Sequence, residues 1–177
     1  MSIPLGDRTL WSPEGQPRFL RSLWAERKVI AVFVRHFGCV FCRQQVATLL
    51  PFEPRFADAG ADLAIIGQGS VDDARAFRNE LSLSCRVLTD PTREVYCALD
   101  LPRGARTMFR PSVFLRAIKA RAQGFRQTRP GGDVLQQGGV LIFDKGGSQL
   151  YRFVSRSAGE HPSPYELLDV LGGGPAG

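Results

Sequence analysis

Two cysteines three residues apart, Cys39 and Cys42 in "HFGCVFCRQQ", are the residues of this chain best suited to chemistry. They follow the apolar run "VIAVFV" and precede a helix-like pattern, so they fall at a strand–helix junction. Such a pair is a redox couple, half of a metal site, or two small apolar core residues. A nucleophilic thiol must reach its thiolate form near neutral pH, although a free cysteine titrates at about 8.5. If a helix begins near Cys39, its unpaired N–H groups and the positive end of its dipole favour the charged sulfur. Arg35, His36 and Arg43 lie close in sequence and are further sources of positive charge. Cys42 sits one helical turn on, where it can attack a mixed disulfide or sulfenic acid on Cys39 and close a small ring. The spacing suits that division: Cys39 attacks and Cys42 resolves.

The alternatives are weaker. A zinc site takes about four ligands and one CxxC supplies two. The remaining candidates are Cys85, Cys97, His36 and His161, and they form no second CxxC. Core burial of both cysteines is uncommon at a strand–helix junction, so redox chemistry is the preferred reading and no metal is expected. Cys85 and Cys97 read as buried packing residues. His36 is either a base for Cys39 or a satisfied histidine at a strand end. His161, in the loop "GEHPSP", has no evident partner, and two histidines so placed support no Ser/His/Asp arrangement.

The elements that must position the cysteines follow from periodicity. Thr9 to Trp11 and Pro17 to Phe19 flank "SPEGQ" as a small hairpin, and "LRSLWAER" reads as a short amphipathic helix. Lys28 to Val34 has the composition of a strand buried on both faces. Arg43 to Ala57 shows a helical repeat that Pro51 and Pro54 should kink or break. "ADLAIIGQGS" is a second buried strand, after which Ser70 and Asp73 form a capping box for "VDDARAFRNEL". Gly67-x-Gly69 lacks the third glycine of a dinucleotide fingerprint, since Asp72 stands there. A third strand, Arg86 to Leu88, leads to a turn and short helix in "DPTREVYCALDL". "SVFLRAIKARAQGF" reads as an amphipathic helix, "GGVLIFDKGGSQLYRFVS" as a hairpin, and "SPYELLDVL" as a closing helix started by Ser163.

Three buried strands separated by helices require a mostly parallel sheet covered on both sides. The expected fold is therefore α/β and thioredoxin-like: a central mixed sheet flanked by helices, with a basic helical insertion before the C-terminal β-hairpin. A single domain spans residues 1–171, with the insertion at about 102–132 and a disordered tail at 172–177. This plan puts the cysteine pair at the carboxyl end of a central strand, where open α/β sheets carry their chemistry.

The net charge is +6 over 177 residues, and much of the excess lies in the insertion. There Arg103, Arg106, Arg110, Arg116, Lys119, Arg121, Arg126 and Arg129 occur without one acidic residue among them. A one-sign field of this kind is a solvated basic face or attracts acidic ligands. No nucleic-acid-binding motif accompanies it. The first residues do not read as a signal peptide, and no apolar run approaches the roughly 20 residues that span a bilayer. A cytoplasmic setting is expected, where four cysteines argue for thiol chemistry rather than a disulfide framework.

"VFVRHFGCVFCRQ", "GFRQTRPGGDVLQQGGVLIFDKGGSQLYRF" and "AGEHPSPYELLDVL" together resemble the peroxiredoxin-like 2 family of AhpC/TSA-type antioxidant proteins. The resemblance runs from about Trp11 to Leu171. It implies a thioredoxin fold, Cys39 as the reacting thiol, Cys42 as its partner, and re-reduction by thioredoxin or a similar thiol donor, with no bound cofactor. Three positions depart from two related patterns. Val32 and His36 stand where typical peroxiredoxins carry the proline and threonine of Pro-x-x-x-Thr-x-x-Cys. Gly138 takes the place of the thioredoxin cis-proline, which lets a ligand backbone approach closely. The expected activity is reduction of a peroxide or disulfide, the substrate being small and, from the basic insertion, acidic and amphipathic. Arg35, Gly138 and Arg126 are the candidate substrate-binding residues. A non-catalytic redox sensor or interaction module, or a general protein disulfide reductase, would use the same pair.

Overall fold

The computed structural model describes residues 3–104, 122, 124, 132–156 and 159–173. Strands β1 (Thr9–Trp11) and β2 (Pro17–Phe19) form the expected hairpin, turned at Gly15 with φ 81°. Strand β3 (Lys28–Phe33) leads to the cysteines and to helix α1 (Val40–Leu49). Helix α2 (Glu53–Asp58), β4 (Ala61–Gly67), α3 (Val71–Glu80), β5 (Arg86–Thr89) and α4 (Glu94–Ala98) follow. The chain closes with β6 (Gly139–Phe143), β7 (Gln149–Val154) and α5 (Pro164–Leu171).

The seven strands form one sheet in the order β2-β1-β5-β4-β3-β6-β7. Strands β3, β4 and β5 run parallel, as right-handed crossovers through helices require. Strands β6 and β7 add antiparallel partners beyond β3, and the β1–β2 hairpin does the same beyond β5. The inner strands alternate between two cores. Ile30, Val32, Leu63, Ile65, Val140 and Ile142 face a layer with Val46, Phe56, Phe77 and Leu167. Val29, Ala31, Phe33, Ala64, Ile66 and Leu141 face Leu10, Leu23, Val95 and Tyr96. Burial on both faces explains why these strands read as nearly unbroken apolar runs.

Local chemistry sets the helix boundaries. Ser70 and Asp73 make the capping box: Ser70 Oγ accepts from Asp73 N at 3.1 Å, and Ser70 N donates to Asp73 Oδ2 at 2.8 Å. Pro51 and Pro54 divide the expected single helix into α1, a 3-10 turn over Leu50–Phe52, and α2. The segment "LRSLWAER" forms a 3-10 turn over Leu20–Leu23 in place of the expected amphipathic helix; Leu20 and Leu23, three apart, are both buried and match its tighter period. The helix expected in the basic insertion lies outside the described residues except for Ala122 and Gly124, as do Arg126 and the tail from residue 174. Among the described residues, no helix is long and apolar enough to cross a membrane.

Candidate active site

The site begins where β3 stops. Val34 N donates to Ile66 O at 2.8 Å, and the buried Tyr96 hydroxyl donates to Val34 O at 2.6 Å and lies 2.9 Å from Ile66 O. These bonds pin the ends of β3 and β4 together. Residues 36–39 then turn tightly, Cys39 N donating to His36 O at 3.1 Å, and Cys39 becomes the N-cap of α1 with extended backbone (φ −72°, ψ 121°). Both Cys39 and Cys42 are free thiols and both are buried.

The two sulfurs differ in protonation. The Cys42 thiol donates a hydrogen bond to Cys39, which draws Cys39 below the ordinary thiol range. Burial opposes this; the charge on Arg35 and the backbone amides of Cys42 and Phe41 reinforce it. Donating its proton to Cys39 keeps Cys42 protonated, and burial and the neighbouring thiolate push it well above its usual value. Cys42 Sγ also accepts from Arg35 N at 3.3 Å.

Of the three nearby basic residues, Arg35 alone acts on Cys39. Arg43 is directed to helix α3, where its guanidinium meets Glu80 at 2.7 Å and lies over the Phe77 ring. His36 is held neutral: burial, and then the charge on Arg35, bring it down to about 4. Its Nδ1 is buried without a hydrogen-bond partner among the described residues. Arg35 itself is buried, with Nε donating to Gln136 O at 3.2 Å and a terminal nitrogen donating to Val134 O at 2.7 Å. Carbonyls rather than a carboxylate hold it, so its charge remains available to the thiolate.

That strap, residues 132–137, was not assigned a role from the sequence. Gln68 fastens it: Nε2 donates to Arg35 O and Asp133 O, each at 2.6 Å, and Oε1 accepts from Asp133 N at 2.9 Å. Arg93 at 2.9 Å and Arg103 both pair with Asp133. The available signal was composition alone: "DVLQQ" is too polar for its approach to a buried strand. Gly138 follows the strap, and a Cβ there would strike the carbonyl oxygen of Phe33. His161, which had no evident partner in sequence, lines a small hollow with Cys42, Arg35, Gly138 and Ser155. The hollow touches Cys42 rather than Cys39.

Cys85 is buried as expected, and burial, with Glu53 nearby, pushes its thiol up to about 12. Cys97 is exposed, contrary to expectation. On the short α4, Val95, Tyr96 and the following Leu99 take the core-facing positions, which turns Cys97 outward. No group of three or more His, Cys, Asp or Glu side chains suited to a metal occurs among the described residues.

The AhpC/TSA antioxidant enzyme family matches residues 48–157, a stretch that starts just after the cysteine pair. Prostamide/prostaglandin F synthase of Homo sapiens is 31% identical over 169 residues, which cover 89% of this chain and 82% of that protein. Thioredoxin-like protein AAED1, chloroplastic, of Arabidopsis thaliana is 31% identical over 160 residues; the match covers 84% of this chain but spans only 64% of the relative. Peroxiredoxin-like 2C of Bos taurus is 30% identical over 168 residues, 89% of this chain and 74% of that one. A solved structure of Xanthomonas campestris peroxiredoxin Q superimposes with a TM-score of 0.70 at 16% identity, covering 98% of this chain and 96% of the other. The fold is thus the thioredoxin-like one anticipated from the strand order.

Proposed function

Because this chain belongs to the peroxiredoxin-like 2 family of AhpC/TSA antioxidant proteins, we propose that it is a thiol-dependent oxidoreductase working through Cys39 and Cys42. The observation that carries this reading is the asymmetry of the pair: one sulfur is stabilised as a thiolate and the other keeps the proton. With a hydroperoxide, the Cys39 thiolate attacks the distal oxygen, the O–O bond breaks, and the leaving alkoxide takes up a proton to become the alcohol. Cys42 then attacks the resulting sulfenic acid, forming the disulfide and releasing water. A dithiol donor of the thioredoxin type returns two electrons and two protons. With a disulfide substrate, the same thiolate forms a mixed disulfide that Cys42 resolves. Arg35 and Gly138 border the hollow beside Cys42 and would meet the substrate there. The basic insertion, including Arg126, would favour an acidic, amphipathic peroxide of the fatty-acid type, in a cytoplasmic setting.

A second order of events has one observation in its favour, since the hollow reaches Cys42. Brief exposure to sub-stoichiometric peroxide, followed by thiol trapping and mass spectrometry, separates the two. The expected result is first oxidation at Cys39, loss of thioredoxin-coupled NADPH consumption in Cys39→Ser, and a stalled sulfenic or mixed-disulfide species in Cys42→Ser. Sustained turnover by Cys39→Ser would refute the assignment. A single stoichiometric oxidation without cycling would identify a sensor, and insulin reduction without peroxide turnover a disulfide reductase.

A further inference from the structure

The pair Gly67-x-Gly69, which makes no dinucleotide fingerprint, holds two glycines with different reasons for being there. Gly69 has φ 138°, a conformation side chains rarely allow, and lies in the turn leading to the Ser70 cap. Gly67 ends β4 in register with Thr89 and has no positive φ, so its backbone does not itself demand glycine. A glycine in a strand weakens it and often marks a close approach. Here the approach is by Phe37: a Cβ at Gly67 would overlap the tip of that ring, at Cζ and both Cε carbons. The ring, buried to 2% exposure, takes the space where a Gly67 side chain would stand.

Phe37 is tied to the reacting sulfur by the chain itself. The bond from Cys39 N to His36 O, at 3.1 Å, closes a four-residue turn with Phe37 and Gly38 at its centre, and Cys39 then caps α1. The ring also meets Phe77 of α3, with centroids 5.1 Å apart, and Phe77 lies 5.5 Å from the Arg43 guanidinium of α1. Gln68, the residue after Gly67, holds Arg35 O. Two successive residues at the end of β4 thus fix the chain on either side of His36. We infer that Gly67 and Phe37 are positioning residues for Cys39: the ring, seated against bare backbone, fixes the turn that presents the sulfur to Arg35 and to the first amides of α1. Those partners act over a few ångströms, so displacing the turn weakens them together. The inference deepens the oxidoreductase reading and rests on it, since it names what orients the attacking thiol.

Gly67→Ala fills the seat, and Phe37→Leu, which has no atoms at the ring tip, reopens it. In NMR of the full chain the Gly67 α-protons should carry a ring-current shift that Phe37→Leu removes. Iodoacetamide labelling across pH, read at the Cys39 peptide by mass spectrometry, should give a midpoint about one pH unit higher in Gly67→Ala than in wild type. The Gly67→Ala/Phe37→Leu double variant should return most of that shift, the non-additivity expected of residues in contact. Phe143→Leu, at the far end of β3 beside Val29, should lower the denaturant midpoint and leave the labelling midpoint in place, which separates positioning from general loss of stability. The proposal is overturned by an unchanged labelling midpoint in Gly67→Ala, by a double variant no closer to wild type, or by an equal shift in Phe143→Leu. Gly67 resonances indifferent to Phe37→Leu would overturn it too. If Gly67→Ala does not fold, the double variant should, and its failure to fold would count against the seat in the same way. Failure of the oxidoreductase reading looks different: the labelling shifts persist while wild type shows no thioredoxin-coupled turnover.

Discussion

At the scale of single residues, the cysteine pair holds one proton unequally. A hydrogen bond from Cys42, the Arg35 charge and the first amides of α1 outweigh the cost of burying a charged sulfur. The consequence is a pH dependence whose sign is settled by the lowered value. Cys39 is thiolate above about 6, so its alkylation rate should already be near its plateau at pH 7.5 and fall as pH drops through that value. Iodoacetamide labelling across pH 4.5–9 would measure it, in the range between that value and the ~8.5 of a free thiol. Cys42→Ala removes the donated hydrogen bond and Arg35→Met removes the charge; each should move the midpoint upward. A midpoint near the free-thiol value in the wild type would mean that the pair is not activated. His36 contributes no charge here, because burial keeps it neutral at the same pH.

At the scale of elements, the decisive contact is the approach of the backbone before β6 to the end of β3. Strand β6 pairs antiparallel with β3 from Phe33↔Gly139 to Val29↔Phe143, and Gly138 lies just before the first of these pairs. There it has no room for a side chain against the Phe33 carbonyl. Gly138→Ala should therefore destabilise the fold by about 1–3 kcal/mol through overpacking, read as a lowered denaturant midpoint at unchanged m. It should also slow the reaction at Cys39, since the displaced carbonyl belongs to the strand that presents the cysteine loop. Unchanged stability in this variant would show that the two strands separate there at little cost. By comparison the helix starts are locally determined: Ser70 with Asp73, and Ser163 accepting from Glu166 N at 3.1 Å, cap their own helices.

At the scale of the whole molecule, residues about 100 positions apart hold the site together. Arg35 is clasped by the carbonyls of Val134 and Gln136, and Gln68 joins the backbone of Arg35 to that of Asp133. The strap thus binds the ends of the basic insertion to the cysteine loop. Gln68→Ala would remove three hydrogen bonds, leaving buried backbone groups unpaired, and should cost about 3 kcal/mol. Hydrogen exchange should quicken over 132–137 and at Arg35, and the freed Arg35 should support the Cys39 thiolate less well, raising its labelling midpoint. Unaltered exchange in the strap would show that Gln68 does not fasten it.

The parts of this protein that depend on near neighbours were legible in the chain. Alternation and apolar runs identify β3 and β4, side-chain caps identify α3 and α5, and the Cys39–Cys42 spacing puts the two thiols at the start of one helix, because each arises from residues within one or two turns of each other. Pairing across the fold was not legible in the same way. Nothing local distinguishes Arg35, which faces the thiolate, from Arg43, which leaves for Glu80. Nor does local sequence bring Gln68, the 132–137 strap and His161 to one end of the sheet, or turn Cys97 outward while Cys85 stays inside. Those outcomes follow from strand order and from which face of a short helix the core needs. Burial and charge act over distances in space, and the chain reveals only distances along itself.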